Sequence, residues 1–138
     1  MPVEVIGPTG FDMSDRTLRR AGLDYIAHVD LARHVSFAAF QTWRMAVRPT
    51  PPRLVLLTTR APVTHLDFVF KADDILLLGR ESAGMPDSVH ESVEARVRIP
   101  MRPGLRSLNI AVAAGIVLSE ALRQTGGWPA FSRDHDRS

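Results

Sequence analysis

Residues 75–86 read ILLLGRESAGMP, and the character of the segment changes in its middle. The aliphatic run Ile75 to Leu78 meets Gly79, then the charged pair Arg80 and Glu81, then Gly84, and the segment closes on Pro86. A short, unbroken aliphatic run bounded by turn residues is the pattern of a strand buried on both faces. Such strands belong to parallel sheets covered by helices, where ligands sit in the loops leaving the carboxyl ends of the strands. The segment therefore predicts an α/β fold, a parallel sheet with helices on both faces, and a candidate site at the end of this strand.

Working outward, two further aliphatic runs predict strands: RLVLLTT at 53–59 and ARVRIP at 95–100, with VEVI at 3–6 as a shorter one. Between them lie helical signals. Ser14 is placed to cap a helix over DRTLRRAG that Gly22 ends, and Ser36 to cap FAAFQTWRMAV, which RPTPP stops. Pro86 at a first helical position predicts a short helix over DSVHESV. The longest element is SLNIAVAAGIVLSEALRQTGG, from Ser107 to a stop at Gly126 and Gly127. Its apolar residues cover nearly the whole circumference, so this helix is expected to be buried on most sides. The alternation predicts a single domain over 1–138, with about 130–138 as a flexible tail.

Composition sets the outer limits. A chain of 138 residues with 45% hydrophobic and 23% charged side chains is globular rather than disordered. No apolar run approaches the roughly 18 to 20 residues of a membrane span, and the N-terminus has no basic and apolar leader. A cytoplasmic protein is expected. There is no cysteine, which excludes disulfides and thiolate metal sites. All but one of the 17 basic residues are arginine, Lys71 being the exception. Arginine's planar fork suits phosphates and base edges, although a GC-rich genome produces the same bias.

Three loops leave apolar strands with unusual chemistry: TTRAP, GRESAGMP and MRPGLRSLN. Gly79 permits close backbone approach, Gly84 a turn, and Glu81 stands at the mouth of the sheet. Arg106 projects a cation, and Ser107 and Asn109 sit at the start of the last helix, where free N–H groups favour a small polar ligand. Each residue alone has a plainer reading. Gly79 and Gly84 are then turn glycines, Glu81 a solvated carboxylate, Ser107 and Asn109 capping residues, and Arg16, Arg19 and Arg20 a solvated helix face. His28, His34, His65 and His90 lack metal-ligand spacing and read as structural or surface residues, and Phe40 and Trp43 as core.

LLLGRESAGMP, then VRIPM, then RSLNIAVAAGIVLSEALRQ, in this order and spacing, resembles motifs two and three of the SpoU branch of the SPOUT RNA methyltransferases. GFDMSDRTLRRAGLDY resembles one subgroup in particular, the small single-domain tRNA (cytidine/uridine-34) 2′-O-methyltransferases. The resemblance implies a C-terminal trefoil knot over about 79–125, which physical reading alone would never propose. It implies S-adenosylmethionine as cofactor, contacted by Leu57, Gly79, Ile99, Met101, Ser107 and Leu108. Glu81, Asn109 and Ser107 fall on the positions that hold the catalytic site together, and Arg106 on a position that contacts RNA; for Arg19 and Arg20, on the charged face of the first predicted helix, contact with tRNA phosphates is the sharper reading. The implied reaction is 2′-O-methylation of a tRNA ribose at the wobble position by a homodimer. It needs no metal, because the cofactor brings its own leaving group.

Two departures from the family pattern accompany the match. Family members begin with a further strand and helix carrying an Asn-Thr-Gly-Asn-Ile-x-Arg motif, whereas this chain opens at the second strand of the pattern. Ser119 stands where relatives often carry tyrosine before Glu120. The resemblance thus leaves two other readings open: a catalytically impaired protein that binds cofactor or RNA, and a 2′-O-methyltransferase for another tRNA position or ribosomal RNA.

Overall fold

Leu54, Val55 and Leu56 are almost wholly buried, at 0%, 1% and 0% exposure, as an aliphatic strand covered on both faces must be. They belong to a computed structural model that describes residues 3–6, 31–79, 87–102 and 110–129. The described residues fall into two compact units, divided between Pro51 and Pro52.

In the first unit, β1 (Val3–Ile6) pairs in parallel with β2 (Leu31–His34). The second strand was not expected from the sequence, because LARH carries neither an aliphatic run nor an apolar alternation. Its partner strand defines it instead. His34 Nε2 lies 2.9 Å from Glu4 Oε2, tying the two strands together through their side chains. Helix α1 (Phe37–Ala46) follows, and Ser36 caps it as expected, its Oγ accepting from the Ala39 amide at 3.1 Å. Phe40 is buried and meets His34 edge to face at 5.4 Å. Trp43, expected in the core, remains 37% exposed, its ring tilted against those of His34 at 5.3 Å and Phe40 at 5.8 Å.

The second unit holds β3 (Leu54–Leu57), β4 (Ile75–Leu77), α2 (Asp87–Ser92), β5 (Ala95–Val97) and α3 (Ile110–Thr125). The sheet order is β4-β3-β5 and both pairings are parallel. At the amino ends of β3 and β4, Arg53 donates to both carboxylate oxygens of Asp74, at 2.9 and 2.7 Å, and lies 4.8 Å from the Phe68 ring centroid. Glu94, just before β5, accepts from the Leu54 amide at 2.8 Å. These contacts close one end of the sheet and leave the carboxyl ends for other work.

The core is a cluster of Val55, Phe70, Val97 and Val117, with Leu57, Ile99 and Ala121 packed against it. Helix α3 corrects one expectation. Within the chain it buries a single face, through Ala113 and Val117, whereas Ile110, Val112 and Ile116 are 44%, 51% and 36% exposed. An apolar circumference measures what a helix can bury, and one side of a sheet covers only one face. The helix ends at Thr125, and Gly126 follows with φ of +69°. That left-handed conformation suits glycine and lets the Gly127 amide close back on the Leu122 carbonyl at 2.9 Å.

Candidate functional site at the carboxyl ends of the strands

The parallel register brings the ends of β3, β4 and β5 abreast. Leu57, the last residue of β3, is paired with Val97, the last of β5, and Leu56 with Leu77, the last of β4. The Thr58 amide donates to the Val97 carbonyl at 2.9 Å and carries the β3–β5 pairing one residue further. Gly79 lies two residues beyond β4, and Ile99 and Met101 two and four residues beyond β5. Leu57, Gly79, Ile99 and Met101 are all half-buried. Leu57 and Ile99 rest on the core cluster, so their positions follow from its packing.

The strand carrying Ile99 is further anchored on its outer side. The Arg98 amide donates to the Val63 carbonyl at 2.9 Å, and the Arg98 carbonyl accepts from the His65 amide at 2.8 Å. Thr64 and Arg98 thus form a parallel bridge beyond the named strands. His65 is buried, and its Nδ1 has no hydrogen-bond partner among the described residues.

The expected residues divide into two groups. Leu57, Gly79, Ile99 and Met101 converge on one end of one sheet. Glu81, Ser107, Leu108 and Asn109, together with Arg106, Arg19 and Arg20, lie outside the described residues, as do the expected helix after Ser14 and the tail beyond Pro129.

A cluster on the other flank of α3 was missed. Gln124 accepts from the Phe70 amide through Oε1 and donates through Nε2 to the Phe68 carbonyl and to Glu120, each at 2.8 Å. Arg123 donates to both oxygens of Glu120, at 2.7 and 2.9 Å. These hydrogen bonds, that of Arg123 first and Gln124 second, pull the Glu120 carboxyl down to about 2. The i, i+3 and i, i+4 spacing of Glu120, Arg123 and Gln124 was visible, but it marks only a polar helix face.

Arg60, after β3, pairs with Asp87 at 3.4 Å, with both side chains well exposed. His90 in α2 is held below the ordinary imidazole value by burial first, and then by Arg60 and Arg96. Arg96 reaches back to donate to the His90 carbonyl. Among the described residues no group of three or more histidines and carboxylates is placed to hold a metal. No helix among them is long and apolar enough to cross a membrane.

The chain is similar in sequence and fold to known proteins. The tRNA (cytidine(34)-2'-O)-methyltransferase of Beijerinckia indica is 59% identical over 122 residues, 88% of this chain and 74% of that protein. The Escherichia coli K12 protein of the same name is 37% identical over 134 residues, 96% and 82% of the two chains. A solved structure described as giving structural insights into the 2-OH methylation of C/U34 on tRNA superposes with a TM-score of 0.79 at 41% identity, covering 92% of this chain and 80% of that one. The SpoU methyltransferase AviRb of Streptomyces viridochromogenes, solved in complex with the cofactor AdoMet, gives 0.77 at 29% identity, over 88% of this chain and 48% of that one. With the SpoU rRNA Methylase family profile matching residues 2–119, across both compact units, the chain belongs to the SpoU methylase family.

Proposed function

We propose that this chain transfers a methyl group from S-adenosylmethionine to the ribose 2′-oxygen of a tRNA, at wobble position 34. The observation that carries the reading is the convergence of Leu57, Gly79, Ile99 and Met101 at the carboxyl ends of three parallel strands. It stands in a chain 59% identical to a protein named tRNA (cytidine(34)-2'-O)-methyltransferase. In open α/β sheets this is where ligands bind.

The residues present fit an adenosine moiety. Half-buried Leu57, Ile99 and Met101 offer apolar walls for a planar base, and glycine at position 79 allows backbone groups to approach its polar edge. The cofactor supplies an electrophilic methyl on a sulfonium whose departure needs no further activation. The protein's work is alignment of the ribose hydroxyl for in-line attack, together with acceptance of its proton. On this reading Glu81, Ser107 and Asn109 hold the reacting groups in place, Leu108 adds to the cofactor contacts, and Arg106, Arg19 and Arg20 meet the RNA. Residues 1–138 act as one SPOUT domain, with a trefoil knot over about 79–125 forming the cofactor site.

Two copies are proposed to associate through α3. Val112 and Ile116 stand one turn apart on its exposed side, and at Gly115 a Cβ would meet nothing within 4 Å. A second copy of the helix would cover this surface isologously.

The deciding experiment is transfer of labelled methyl to an anticodon stem-loop, with calorimetric titration of S-adenosylhomocysteine alongside. Transfer should vanish when the wobble 2′-hydroxyl is replaced by hydrogen, and the Ser107→Ala, Asn109→Ala variant should lose the cofactor product. A chain that binds S-adenosylhomocysteine yet labels the 2′-deoxy stem-loop equally well would overturn the acceptor assignment.

A further inference from the structure

We infer that Arg98 and Arg102 form a docking rim for the phosphates of the RNA backbone, with Arg60 joining them from the end of β3. The inference rests on the RNA methyltransferase reading and adds residues that the reading does not assign. It starts from a strict alternation. Val97 is buried, Arg98 exposed, Ile99 half-buried, Pro100 exposed, Met101 half-buried and Arg102 exposed. One segment therefore turns the candidate cofactor contacts Ile99 and Met101 inward and two arginines outward.

These arginines differ from most others described. Arg53 is engaged by Asp74, Arg96 by the His90 carbonyl, Arg123 by Glu120, Arg44 by Gln41 and Arg48 by the Thr50 carbonyl. Arg98 and Arg102 make no side-chain hydrogen bond or ion pair with any described residue. Among the described residues the Arg60 side chain hydrogen-bonds only to Asp87, at 3.4 Å, with the two side chains 60% and 85% exposed. A pair so exposed contributes little and exchanges freely for another anion.

The backbone beneath Arg98 is held on its outer side by two hydrogen bonds, its amide to Val63 and its carbonyl to His65. Its side chain therefore leaves a fixed backbone one residue from Ile99, and a polyanion gripped there is held close to the candidate site. Guanidinium forks match phosphate oxygens in pairs, and each contact releases condensed counterions.

The test uses the full chain, an anticodon stem-loop and S-adenosylhomocysteine. The Arg98→Gln, Arg102→Gln variant should bind S-adenosylhomocysteine as the parent does. Its affinity for the stem-loop should fall about tenfold or more, and the slope of log affinity against log salt should shrink by about 1.5. The Arg98→Lys, Arg102→Lys variant, which keeps the charges, should recover most of that slope. An unchanged affinity and slope in the glutamine variant, with the parent still methylating the stem-loop, overturns the inference and leaves the enzymatic reading standing. Loss of S-adenosylhomocysteine binding in the glutamine variant also overturns it, because the arginines would then act through the cofactor strand. A parent that binds S-adenosylhomocysteine but neither binds nor methylates the stem-loop removes the RNA reading, and this inference with it.

Discussion

Gln124 of the last helix accepts a hydrogen bond from the Phe70 amide at 2.8 Å, across 54 positions of sequence. The same side chain donates to the Phe68 carbonyl, so one amide holds both ends of the short segment on which Phe68 and Phe70 pack edge to face at 4.8 Å. Phe70 belongs to the core cluster with Val117, and the clamp therefore joins α3 to the segment between β3 and β4 at the core's margin. Removing a partner of part-buried backbone groups leaves them unsatisfied, at about 1 to 3 kcal/mol. Gln124→Ala should lower unfolding stability by about that amount, read from urea denaturation. Gln124→Glu should also destabilise, because it keeps an acceptor for Phe70 but loses the donor to Phe68 and faces Glu120. A glutamate variant as stable as the parent would show that the clamp carries no weight.

Glu120 sets an acid limit. Its folded value of about 2 lies below the ordinary 4.5. The unfolded chain therefore takes up the proton first as pH falls. The stabilisation is complete above pH 4.5 and is lost progressively as pH drops toward 2. Glu120→Gln should flatten the decline of stability across that window, measured as melting temperature against pH. An equally steep decline in the variant would assign acid sensitivity to other carboxylates.

Gly126 is the place where a methyl group should do harm without any clash. A Cβ there meets nothing within 4 Å, yet the backbone stands at φ of +69°. A left-handed conformation costs a residue with a side chain about 1 to 2 kcal/mol. Gly126→Ala should lose about that much stability, and Gly126→Asn less, since asparagine visits this region more readily. Equal stability of the alanine variant would mean that the helix end rearranges.

The elements that local chemistry specifies were legible in the sequence. The Leu54–Leu57 and Ile75–Leu77 strands announce themselves by aliphatic runs, α1 by the Ser36 cap, α2 by Pro86, and the end of α3 by its glycines. What pairing decides was not legible. The strand Leu31–His34 exists because Val3–Ile6 lies beside it, and Gln124 finds Phe70 only once α3 is docked. The site shows the same division. Unusual loops after apolar strands pointed to the carboxyl ends, but the order β4-β3-β5, which sets Leu57 beside Val97, is a property of the folded sheet. The individual cofactor residues came from the family resemblance, since Leu57 and Ile99 carry no chemistry that marks them.

The exposed side of α3 gives the last prediction. Val112 is 51% and Ile116 36% exposed, one helical turn apart, while Ala113 and Val117, about 100° round the helix from them, are buried, Val117 in the core cluster with Val55 and Val97. Changes at Val112 and Ile116 can thus alter association without touching the buried face. If a second copy covers this side, the parent should sediment as a dimer. The Val112→Glu, Ile116→Glu variant should then sediment as a monomer with helical content unchanged, because two carboxylates cannot be buried opposite their own copies without large desolvation and repulsion costs. Methyl transfer should fall with dimer content if the site needs both copies, and stay constant if it does not. A parent that sediments as a monomer at micromolar concentration would show that α3 carries its apolar side exposed, and the isologous pairing would be withdrawn.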